Sequence, residues 1–160
     1  MSPARKTFSR HAVIRRGASA VEMALTMPVF VMFLAGLMEF GHVFLVHHSL
    51  NAAAKRGARY GVTEGVTTDQ VEERVKSIVA KTLNAGEASV LVRDAAVFDS
   101  SNMDPANIDY NSLPPIELSS ADDGHLFVVQ IKVPYDNVAL LPPFWFKGRT
   151  VTGQSVVRHE

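Results

Sequence analysis

The sequence predicts an α+β protein: a long N-terminal membrane-spanning helix, then a small domain with an amphipathic helix packed on an antiparallel sheet. Three observations carry that class. A basic, acid-free start runs directly into a stretch from Met23 to Met38 without a single charge. Val71, Val75, Ile78, Val79 and Leu83 recur at helical spacing. Beyond Gly86 the period shortens, and Leu126–Val133 together with Thr150–Val157 read as strands.

The N-terminus comes first because its charge is so uneven. Formal net charge over the 160 residues is zero, which gives no reason to expect nucleic acid as a partner. Yet residues 1–17 hold Arg5, Lys6, Arg10, Arg15 and Arg16 and no acid, while all sixteen Asp and Glu lie further on. Such a start is typical of targeting segments and is set apart here as a basic leader, 1–17. From Ala18 to Val46 only Glu22, Glu39 and His42 interrupt a stretch of apolar and small residues. About 20 residues of helix cross a ~30 Å hydrocarbon core, so the stretch is long enough even when tilted. A buried core helix would not follow a lone basic leader. A secretory signal peptide would have a shorter, uncharged apolar region. The leader charges favour a cytoplasmic N-terminus and an extracytoplasmic remainder, periplasmic or extracellular. Without proline from Ser49 to Tyr60, the helix is expected to run over 18–60, leaving the membrane before Gly61 and Gly65 end it. Pro28 removes one helical hydrogen bond and is expected to kink the first turns.

Intramembrane carboxylates are costly unless paired, so Glu22 asks for a partner. Gly17 followed by an apolar helix with Glu at its fifth position is similar to type IV prepilins. The longer string comprises Arg16-Gly17-Ala18, Ala20-Val21-Glu22, Ala24-Leu25, Pro28, Gly36, Glu39-Phe40-Gly41, Asn51-Ala52-Ala53 and Arg56-Gly57-Ala58-Arg59-Tyr60. It resembles the TadE-like family of pilus-assembly pseudopilins from the tight-adherence (Flp-type) system. The likeness covers 15–60 and is loose beyond 61; Met23 stands where such proteins usually carry an aromatic.

The resemblance implies a minor pseudopilin or assembly component of a bacterial tight-adherence pilus, residing in the cytoplasmic membrane. It implies cleavage between Gly17 and Ala18 by a prepilin peptidase, at a glycine whose backbone is unhindered. It implies that Glu22 pairs with the new α-amine of a neighbouring pilin or pseudopilin. Other implied partners are the pilus assembly machinery and membrane lipid.

Glu39 and His42 lie three apart on one helix face. They are expected to pair locally, with a helix contact to another subunit as the alternative. His42, His47 and His48 lack a carboxylate arrangement of known ligand spacing, so no metal is expected.

The domain at 61–160 is read from its punctuation. Thr67-Thr68-Asp69-Gln70-Val71-Glu72 offers two overlapping capping boxes, Thr67 with Gln70 and Asp69 with Glu72. Asn84-Ala85-Gly86 closes the helix they begin. Ser89–Val92 and Ala95–Phe98 read as one strand or a strand broken at Arg93-Asp94. Residues 99–124, rich in Asp, Asn, Ser and Pro, read as a long surface loop without calcium-loop spacing. Pro134 stops the strand at 126–133, Gly153 suggests a bulge in the last one, and Pro142–Phe146 is an apolar loop that caps the sheet or meets a partner.

No cysteine is present, which removes disulfides, thiolate catalysis and cysteine zinc sites. No nucleophile elbow, phosphate loop, HExxH or dinucleotide fingerprint occurs. Neither an enzyme, a cofactor nor a small-molecule substrate is expected. The competing function is an unprocessed bitopic envelope protein whose outer domain binds a ligand or another protein.

Overall fold

The computed structural model describes residues 10–83, 88–99 and 108–159, with side chains from 19 onward. Leader residues 1–9, the side chains of Arg15 and Arg16, the closing Asn84-Ala85-Gly86 and Asp104 of the acidic loop lie outside the described residues. Element order is α1 (Arg10–Gly61), α2 (Thr68–Leu83), β1 (Ser89–Asp94), β2 (Leu126–Pro134) and β3 (Thr150–Arg158). The chain forms two compact units, Met1–Met38 and Glu39–Glu160.

In the first unit α1 is helix throughout, with Pro28 inside it. Its large apolar side chains are exposed all round, Leu25, Val29, Phe30 and Phe33 among them. A helix apolar on every side suits a membrane anchor.

In the second unit the sheet is a meander of order β1-β2-β3, antiparallel throughout. One face of β2, from Phe127, Val129, Ile131 and Val133, is fully buried beneath the two helices. Each such side chain contributes about 1.5–3 kcal/mol. From α1, Val46, Leu50, Ala53, Ala54 and Ala58 pack on that face; from α2, Val71, Val75 and Val79 do so, with Ile78 and Leu83 at the margin. Small residues on α1 let backbone approach backbone. A Cβ at Gly57 would meet Val75, and one at Gly61 would lie 2.9 Å from Leu118.

Gly153 is the other close approach, and it corrects the bulge expected there. The β2–β3 register runs unbroken from Leu126↔Arg158 to Pro134↔Thr150, with Gly153 opposite Ile131. A Cβ on Gly153 would lie 2.5 Å from the Leu50 carbonyl carbon and 2.6 Å from Asn51 N. Glycine is there because α1 lies directly against β3.

Two further expectations are corrected. Only Ser89–Asp94 is strand; Ala96–Asp99 is a 3₁₀ turn. The Asp94 carboxylate accepts the Ala96 N–H at 2.7 Å and turns the chain, as short acidic side chains do. The 99–124 segment is not merely a surface loop. Within its described part, Tyr110 and Leu113 are buried with Ala95 against Val128, on the sheet face opposite the helices. Gln130 on that face donates to Gln154, which donates to the Tyr110 hydroxyl.

The capping box forms from Thr67 and Gln70: each backbone N–H is accepted by the other's side chain, at 3.1 and 3.3 Å. Gly65 precedes it at φ +76, a conformation glycine adopts without strain. Glu117 ties this corner to the loop, accepting the N–H groups of Thr68 and Ser119. The Thr68 N–H lowers its pKa from the ordinary 4.5, partial burial opposes, and Ser119 adds to the lowering. A depressed carboxylate stabilises the fold above its unfolded pKa, and that contribution is lost as pH falls through the folded value. In Glu117→Gln, the melting temperature should therefore change less between about pH 5 and pH 3 than in wild type. Equal slopes would remove the carboxylate from the corner's stability.

Candidate functional site

The sequence-predicted residues fall into two groups. Gly17 and Ala18 lie within α1. Glu22 follows on the same helix, exposed, with its carbonyl accepting the Thr26 hydroxyl at 3.0 Å. Among the described residues its carboxylate has no hydrogen-bond or ion-pair partner.

Glu39 and His42 are different, because distant residues of the same second unit pack onto both. They do not form the local pair expected of them. Pro142 and Pro143 have no N–H, and the three residues after them present theirs in succession. The Glu39 carboxylate receives all three: Phe144 at 3.2 Å, Trp145 at 3.1 Å and Phe146 at 2.8 Å. Successive backbone N–H groups of this kind form an anion-binding concavity. Here the anion is a side chain of α1, 105 residues earlier in sequence than the first donor. Gly148 secures the far side of the turn, donating to the Asp136 carboxylate at 2.8 Å.

His42 Nδ1 shares a 3.1 Å hydrogen bond with the Tyr135 hydroxyl. Tyr135 is buried, which pushes its phenol pKa up, and the Glu39 charge pushes it further in the same direction. Phe146 completes the cluster, its ring edge-on to Phe40 at 5.0 Å and to Tyr135 at 5.9 Å. Sequence reasoning singled out both Glu39 and the Pro142–Phe146 loop, and nothing in it joined them.

One turn further along α1, His47 Nδ1 lies 2.8 Å from the Thr152 carbonyl, and its Nε2 is 3.0 Å from Asn51 Nδ2. The Asn51 Oδ1 in turn accepts the Gln154 N–H at 2.9 Å. The imidazole of His47 thus bridges the Thr152 carbonyl and the Asn51 amide, one on each ring nitrogen. His48 meets Phe44 edge-on at 4.3 Å. The three histidines thus serve three different contacts. An open groove of about 690 Å³ runs beside His47, lined also by Phe40, Val43, Trp145, Arg149 and Thr152 among others.

These features define a class: a protein with one N-terminal apolar helix suited to anchoring in a membrane, and a C-terminal α+β unit that is clamped internally through Glu39, His42, His47 and Asn51. The comparison with protein families narrows it. Residues 17–59 match the family model described as TadE-like protein, consistent with a TadE-like protein of the tight-adherence pilus system. The matched stretch holds Gly17, Ala18, Glu22 and all four clamp residues. No curated protein and no solved structure matches the chain.

Proposed function

We propose that the chain is a minor pseudopilin, or assembly component, in the biogenesis of a tight-adherence pilus. In this reading a prepilin peptidase cuts between Gly17 and Ala18 on the cytoplasmic side. The mature helix stays in the membrane with the C-terminal unit outside it. Glu22 then meets the α-amine of Ala18 on a neighbouring pilin-like subunit, and the pair offsets the cost of holding each charge in an apolar layer. The observation that carries the reading is the family match, which begins at Gly17 and extends along α1 to residue 59. Two features support it: Glu22 is exposed on the helix surface, and so is the apolar surface around it.

The test is the mature N-terminus. Co-expressed with an active prepilin peptidase, the chain should yield an intact mass beginning at Ala18, and Gly17→Leu should leave the leader attached. Uncut wild-type protein under those conditions sinks the pseudopilin reading and favours an unprocessed envelope protein.

A further inference from the structure

We propose that the loop from Leu140 to Trp145 is a second membrane contact, seated in the headgroup layer of the leaflet from which α1 emerges. Glu39 is the first charged residue after the uncharged run from Met23 to Met38, so it marks where the helix meets the polar layer. Its carboxylate holds the backbone N–H groups of Phe144, Trp145 and Phe146. That backbone is therefore within one hydrogen bond of the same depth.

The side chains carried there are unusually apolar for a protein surface. Leu140, Leu141 and Phe144 are 79%, 56% and 74% exposed, and Trp145 is 40% exposed. Clustered exposed apolar residues mark a surface that something else covers. The patch continues onto the helix through Phe40, itself exposed and in ring contact with Phe146. Lys147 and Arg149 follow immediately, both exposed, where headgroup phosphates would solvate them. Aromatic residues flanked by basic ones are what the interface of a bilayer favours. Lipid is the occupant at the depth of Glu39 around every anchored molecule, whatever subunits stand nearby. The proposal rests on α1 lying in the bilayer.

Trp145 is the sole tryptophan, so its fluorescence reads the loop directly. The full chain is reconstituted in phosphatidylcholine–phosphatidylglycerol vesicles, with and without bromine on the upper acyl chain. A Trp145→Phe, Phe30→Trp variant reports α1 separately. Trp145 should lose roughly half of its emission or more to brominated lipid, and aqueous acrylamide should quench it poorly, as an interfacial side chain requires. If position 30 is quenched by bromine and Trp145 is not, the loop contact is overturned and the anchor stands. If neither is quenched, both fall. Trp145 hidden from acrylamide, untouched by bromine and re-exposed on dilution into excess lipid would assign the patch to a second copy and overturn the proposal.

Discussion

Replacing Gly153 by valine is expected to cost the C-terminal unit about 3 kcal/mol or more, because the new atoms meet backbone rather than a movable side chain. Leu50 and Asn51, the groups a Cβ would strike, sit in the middle of a continuous helix. Relief would require α1 to lift from β3, taking Leu50 off the sheet and breaking the Asn51–Gln154 bond. In thermal unfolding of the full chain in detergent, the midpoint should drop by roughly 10 °C. Gly153→Ala should fall part of the way. Gly41→Ala is the control: its Cβ meets nothing within 4 Å, and the change adds helix propensity. A Gly153→Val midpoint equal to wild type would mean that the helix and strand are not in contact.

Glu22→Gln is expected to leave insertion and cleavage after Gly17 largely intact and to weaken association with other pilin-like subunits by about a hundredfold or more. The magnitude follows from orphaning one member of a buried charge pair, which costs on the order of 3–5 kcal/mol. A headgroup-solvated pair would lose far less. Crosslinking in native membranes distinguishes the two, and unchanged assembly would reduce Glu22 to an interfacial decoration.

What could be read from sequence was what is encoded locally. Thr67 and Gln70 announce the start of α2, its valine stripe announces the buried face, and Pro134 ends β2. One error is local: Ala95–Phe98 has the apolar look of a strand, yet its neighbour Asp94 bends it into a turn. The other errors arose where distant residues decide. Polar composition over 99–124 hid Tyr110, Leu113 and Leu118, three buried side chains that hold the segment down. Gly153 signalled an irregularity, but its cause is a helix a hundred residues away. The same distance separates Glu39 from the backbone that receives its carboxylate, and no local pattern records that pairing. Gly17 and Glu22 were legible only as part of a longer resemblance, since a glycine and a glutamate five positions apart carry no chemistry by themselves.

The chain of bonds through His47 and Asn51 has a consequence for how copies can join. It occupies the carbonyl of Thr152 and the N–H of Gln154, groups through which β3 would otherwise template another strand. An extended segment from another protein would have to displace both side chains and face the body of α1 as well. At Thr152 and Gln154 the edge of the sheet is therefore blocked to an added strand, a local protection against edge-to-edge aggregation.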